Sequence, residues 1–213
     1  MRTDDLIAEL AGGGRRPGPS VPWLMALTVV AALAGSFLVM VLGPWGLRPD
    51  LHQAMRTGPF WMKAGYTLAF AVAGGLLVER LGRPGGKGRG GWAVLGLALA
   101  VIAALAAADL ASTPMAGWHA DIMGRSARIC AFSITVISAP AFAACFWLLR
   151  RMAPTRPMLA GLAAGLLASG LGATVYGFFC QETGAAFTAI WYTSAMLIWP
   201  ALGALLGWRL LRW

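Results

Sequence analysis

The residues of this 213-residue chain best suited to chemistry are its cysteines, Cys130, Cys145 and Cys180. They form no CxxC pair and no Cys/His spacing of a zinc site. Cys180 stands in "TVYGFFCQETGAAF", Thr174 to Phe187, where an apolar run breaks at Gln181 to Thr183 and then resumes. Cys130 opens another apolar run, just after Arg125 and Arg128. A helix N-terminus with cations beside it favours a thiolate, whereas a helix C-terminus with Glu182 two residues on disfavours one. The sequence therefore expects Cys130 to be the attacking thiol and Cys180 its resolving partner. The same residues also fit a plainer role, as small apolar side chains in packed helices. A disulfide needs Cα atoms ~4.4–6.8 Å apart, a separation two neighbouring helix ends reach. Cys145 lies about 22 Å deeper along the helix that Cys130 opens, at ~1.5 Å per residue, and cannot join them.

The elements that position these thiols follow from composition. Hydrophobic residues make up 59% of the chain and charged residues 12%, against an apolar share of ~45–50% in ordinary soluble domains. Charges gather in clumps and leave stretches long enough to cross a hydrocarbon core, which takes ~20 helical residues. Six such stretches run from Val21 to Leu42, Phe60 to Val78, Gly91 to Ala108, Ile129 to Leu149, Pro157 to Phe179 and Ala185 to Trp208. The expected fold is an all-α membrane bundle of six helices, residues 21–213, preceded by a segment of residues 1–20. Lys63 interrupts the second stretch close to one end, where a lysine is expected to snorkel to the headgroups. A removable signal peptide ending near "ALA", Ala32 to Ala34, is disfavoured because the apolar run continues to Leu42 and Asp4, Asp5 and Glu9 precede it. Arg15 and Arg16 are followed by "PGP", a poor twin-arginine context.

Basic residues favour cytoplasmic loops. With the N-terminus inside, the outer segments hold Arg48, Arg56, Lys63, Arg125 and Arg128, and the inner ones hold the other 12 of the 17. Both termini are then cytoplasmic, and Cys130 and Cys180 face outward. The net charge of +9 is thus mostly a topology signal, and its scatter over short segments without interleaved aromatics argues against direct nucleic-acid binding. "GRPGGKGRGG", Gly82 to Gly91, reads as a solvated tether with no phosphate-cradling pattern. Small residues recur every four positions at Gly161, Gly165, Ser169, Ala173 and Gly177, a pattern for close helix packing. Glu79 and Asp109 fall at helix ends, so the mid-membrane charge a transporter wants is lacking. No cofactor is implied.

Ahead of the first span, "TDDLIAEL" has Thr3 as a cap, Asp4 and Asp5 in a first turn, and Leu6, Ile7 and Leu10 on one face. It reads as a short amphipathic helix tethered by "AGGGRRPGPS". A helix lying on lipid usually has a basic polar face, so this acidic one suits a protein partner better.

"RPDL" at Arg48 to Leu51, "FWMK" at Phe60 to Lys63, "SARICAFSI" at Ser126 to Ile134, "APTRPMLAG" at Ala153 to Gly161, "CQE" at Cys180 to Glu182, "WY" at Trp191 and Tyr192, and the ending "GALLGWRLLRW" together resemble the NrsF family of membrane-bound anti-sigma factors. The resemblance spans nearly the whole chain. It implies a bacterial inner-membrane protein that holds an extracytoplasmic-function sigma factor inactive on the cytoplasmic side. It also implies release on metal or oxidative stress read by two outer cysteines, which match Cys130 and Cys180. The expected partner-binding residues are Thr3, Asp4, Asp5, Leu6, Ile7 and Leu10. The family commonly places a His before the second cysteine; Phe179 stands there, which weakens metal coordination and leaves thiol chemistry less affected. His119 and Asp121, in the loop before Cys130, are candidate further ligands or simply solvated. A membrane thiol oxidoreductase would want a CxxC pair and an electron relay, and a small-solute or metal transporter would want polar groups at mid-membrane. The regulator reading uses the tethered helix and the thiols together and needs no catalysis.

Overall fold

The computed structural model describes residues 3–5, 7, 20–83 and 85–211. Among them, six helices are long and apolar enough to cross a membrane. They are α1 (Val21–Leu42), α2 (Gly58–Leu81), α3 (Arg89–Ser112), α4 (Ala127–Leu149), α5 (Pro157–Tyr176) and α6 (Ala185–Leu210). The described residues contain no strand, as expected of a chain in lipid, where helices satisfy their own backbone groups. Proline stands in the first turn of α1, α2 and α5, where its missing N–H costs nothing. Short helices at Leu51–Ala54 and Trp118–Met123 interrupt two of the connections.

Helix α5 is the hub, packed against α2, α4 and α6. Its most apolar stretch is 78% buried, against 11% for α3 and 22% for α1. Lipid tails offer no hydrophobic drive for helices to associate, so close van der Waals packing has to supply it. The small residues of α5 permit that packing. Gly161 lies against the backbone of Gly203 and Gly207, Gly165 against Trp199 and Pro200, and Gly170 against Phe70 and Ala71. Gly172 meets Ser138 of α4. A methyl group at any of the four would overlap its neighbour. Of the expected stripe, Gly161, Gly165, Ser169 and Ala173 are packing positions, while Gly177 lies just beyond the helix and touches only its own turn. Gly170 and Gly172 lie off the four-residue repeat and do equal service on other faces.

Because consecutive helices run in opposite directions, the connections at 43–57, 113–126 and 177–184 collect at one end of the bundle. Arg48 donates its backbone N–H to the Phe178 carbonyl (3.3 Å), and the Trp191 indole donates to the Ile122 carbonyl (2.9 Å). The connections at 82–88 and 150–156 lie at the opposite end, with residue 20. Thr3, Asp4, Asp5 and Ile7 are helical and exposed. Leu6 and Leu10 lie outside the described residues, so the amphipathic face expected there is not described.

Candidate functional site

At the first of these ends the chain brings two cysteines together from positions 50 residues apart in sequence. Cys130 sits in the first turn of α4, its N–H bonded to the Ser126 carbonyl at 2.7 Å. Cys180 lies in the link between α5 and α6, which leaves α5 in tight turns: Phe179 and Cys180 both donate to the Tyr176 carbonyl, at 2.9 and 3.1 Å. Both cysteines are buried, both are free thiols, and each interacts with the other. Cys145 is buried deeper in α4 and is not part of this group.

Two tyrosines close the site. Tyr176 ends α5 with its hydroxyl beside Cys130 and Ser133, and its ring centre is 6.0 Å from that of Tyr192. Tyr192 ends a π-helical turn, Thr188–Tyr192, near the start of α6. Such a turn carries one extra residue and is frequent at functional sites. The Tyr192 hydroxyl lies beside Cys180, yet at hydrogen-bonding geometry it finds no partner among the described residues. A cavity of about 500 Å³ opens over the site, lined by Arg125, Ser126, Tyr176, Cys180 and Glu182 among others. Cys180 lines this cavity and Cys130 does not.

The structure corrects the expectation for Lys63. Its side chain is only 4% exposed and turns inward rather than toward headgroups. Its Nζ lies 3.5 Å from the Cys180 sulfur, 3.5 Å from the Cys180 carbonyl oxygen, and in a short contact with the Glu182 carbonyl. The Tyr192 ring centre is 5.5 Å away. Carbonyl oxygens of the link and an aromatic face replace water around the cation, which makes the inward position tolerable in lipid. Arg48 adds a second cation: it donates to the Cys180 carbonyl at 3.2 Å and forks onto Asp50 at 2.6 and 2.7 Å. That pairing raises the Arg48 pKa and lowers that of Asp50.

One premise of the expected thiol ranking is corrected as well. Glu182 does not turn its charge on Cys180. Its carboxylate accepts the Arg125 N–H at 2.8 Å and the Ser126 hydroxyl at 2.9 Å, tying the link to the start of α4. Gly124, at φ 51°, makes the turn that aims the Arg125 N–H, and a side chain there would strike Glu182. With the carboxylate turned away, the Cys130 thiol and the Lys63 cation hold the Cys180 thiol below its usual range, against the opposing effect of burial.

Asp109, at the end of α3, accepts from the Ala185 and Ala186 N–H groups at 2.9 and 3.3 Å and so caps α6 from a neighbouring helix. His119 and Asp121 lie on the short helix Trp118–Met123. Among the described residues, no three His, Cys, Asp or Glu side chains gather closely enough to hold a metal ion.

Comparison with known proteins places the chain in a family. The family described as "Negative regulator of sigma F", NrsF, matches residues 10–213. The chain belongs to the NrsF family. It is 44% identical to the anti-sigma-F factor NrsF of Caulobacter vibrioides (strain NA1000 / CB15N), with all of both chains covered. It is 40% identical, again over the whole of both chains, to a probable anti-sigma-F factor NrsF of Azospira oryzae (strain ATCC BAA-33 / DSM 13638 / PS). No solved structure matches. Several motifs that carried the resemblance contribute to the site: "RPDL" supplies Arg48, "FWMK" Lys63 and "WY" Tyr192. Arg48, Lys63 and Tyr192 were not foreseen as site residues, and their membership of these motifs is the signal that could have found them.

Proposed function

We propose that this chain is a membrane-embedded anti-sigma factor. In this reading residues 1–20 hold an extracytoplasmic-function sigma factor on the cytoplasmic side of a bacterial inner membrane. Residues 21–213 form a sensor domain in which modification of Cys130 and Cys180, by oxidant or metal, releases it. The observation that carries the reading is positional. The thiols meet at one end of the bundle, and α1, 22 residues long, delivers residue 20 to the other, about 33 Å away at ~1.5 Å per residue. With the basic residues concentrated on the inner segments, that arrangement supports a reading with an oxidising space at the thiols and the cytosol at the N-terminus. Family membership supports the regulatory activity.

Thr3, Asp4, Asp5, Leu6, Ile7 and Leu10 are the partner-binding residues in this reading. Burying three aliphatic side chains contributes ~1.5–3 kcal/mol each before ordering costs, enough to make them anchors. The acidic residues orient the helix on a basic partner surface, an effect that weakens with salt. The bundle must have two states that differ in affinity for the partner.

The test is sigma-dependent transcription in cells carrying variants that still insert in the membrane. Deleting residues 3–10, or Leu6→Asp with Leu10→Asp, is expected to give constitutive transcription. Cys130→Ser with Cys180→Ser is expected to keep repression and lose induction by thiol-reactive stress, while Cys145→Ser behaves as wild type. Transcription that stays off after the deletion, with the protein at normal level, would move the binding site to the inner loops.

A further inference from the structure

We propose that Lys63 is a positioning residue that makes Cys180, rather than Cys130, the thiol that reacts first. The inference rests on the sensor reading above and deepens it, and three independent features of the geometry support it. Lys63 Nζ stands 3.5 Å from the Cys180 sulfur, in a setting 4% exposed, where the field of one cation is weakly screened. Cys180 is among the residues that line the cavity over the site, and Cys130 is not. The Cys130 thiol interacts with Cys180 and is placed to follow as the second reactant.

Every element around Cys180 agrees with this order. From α2 comes the Lys63 cation, and from the 43–57 connection comes Arg48, bonded to the Cys180 carbonyl. From α4 comes the Cys130 thiol, and from α6 the Tyr192 hydroxyl, fully buried with no partner among the described residues and so free to donate to a sulfur anion. Tyr176 of α5 reaches Cys130 instead. The nearby carboxylate, Glu182, is occupied by Arg125 and Ser126. A lysine that served only to pin the link would need its carbonyl contacts alone. The additional sulfur contact places the charge where a thiolate would form.

With a hydroperoxide as the oxidant, the Cys180 thiolate attacks the distal oxygen; the S–O bond forms, the O–O bond breaks, and the departing alkoxide or hydroxide takes up a proton. Cys130 sulfur then attacks the sulfenic acid, forming the S–S bond. The S–O bond breaks and the leaving hydroxide departs as water with the Cys130 proton. Two electrons pass from the thiol pair to the peroxide.

The experiment uses the full chain in membrane vesicles, alkylated with iodoacetamide over a pH series. Labelling of each cysteine is followed by mass spectrometry, with Cys145 as the buried control. Cys180 is expected to label about tenfold faster than Cys130 near neutral pH, the effect of one pKa unit, with its midpoint below the ordinary thiol range. Lys63→Met should slow Cys180 labelling by about tenfold or more and shift its midpoint upward, and Lys63→Arg should restore most of the rate. In Cys130→Ser, peroxide should leave a Cys180 sulfenic acid trapped by dimedone; in Cys180→Ser, Cys130 should give none. Faster labelling of Cys130, or a Lys63→Met protein with the wild-type pH profile, overturns the proposal. If Lys63→Met fails to insert, the wild-type profile decides, and a midpoint at or above the ordinary thiol range overturns it. None of these readings involves a sigma factor. A normal stress response in the Cys180→Ser strain would therefore sink the sensor reading while leaving the order of reactivity standing.

Discussion

The two ends of the bundle are held by different forces. At the thiol end, polar bonds cross between elements: Lys63 and Arg48 to the link at 180–182, Glu182 to the start of α4, Asp109 to the start of α6, and Trp191 to the short helix before α4. At the opposite end, backbones meet directly, with Gly161 against Gly203 and Gly207 against Pro157. An ion pair near that end, Arg83 to Glu79 at 3.2 Å, joins residues four apart in sequence and lies in the open. Polar contacts are discrete and can be exchanged, whereas glycine-lined packing has no alternative arrangement short of separation. Under the sensor reading, the contacts that a change of state would exchange are therefore those of the thiol end.

Breaking the packed end should have the largest effect. Gly165→Leu drives a side chain into the backbone of Trp199 and Pro200. A cost of about 3 kcal/mol or more is expected, read as loss of monodisperse protein after detergent extraction. At the thiol end, Glu182→Ala leaves the Arg125 N–H and Ser126 hydroxyl unpartnered and should cost ~1.5–3 kcal/mol. It should lower the melting temperature by several degrees and open Cys130 to alkylation, which a mere loss of stability elsewhere would not do. Asp109→Ala removes the cap of α6, worth ~1 kcal/mol. Faster hydrogen exchange confined to residues 185–192 is the expected signature. The smallest effect belongs to Glu79→Gln, since an exposed pair of this kind contributes at most ~1 kcal/mol, and an unchanged melting temperature is expected. A large loss from Glu79→Gln, with little from Gly165→Leu, would reverse the comparison.

The spans were legible because apolar length is a one-dimensional property. The bounds of α1 agree with the apolar run from Val21 to Leu42 residue for residue, and α5 differs only at its last turn. The meeting of Cys130 and Cys180 was legible as a possibility, since both fall at helix ends on the same side. Lys63 was not. Its place near a helix end is equally compatible with a headgroup and with an inward partner, and the partner is 117 residues away. Glu182 failed for a related reason: proximity in sequence located its charge near Cys180, but Gly124 and the Arg125 N–H, on another element, decide where the carboxylate points. The π turn at Thr188–Tyr192 depends on one extra residue in a helix whose composition is otherwise ordinary.

The site at Cys180 draws on residue 48 from one connection, residue 63 from α2, residues 125–130 from another connection and α4, residue 176 from α5 and residue 192 from α6. No contiguous peptide therefore carries its chemistry. A biosensor built from this chain could not be made by grafting "CQE" onto a soluble host, because the cation, the second thiol and the tyrosines would stay behind. What is portable is the whole bundle, because only there do the cation, both thiols and the tyrosines stand together.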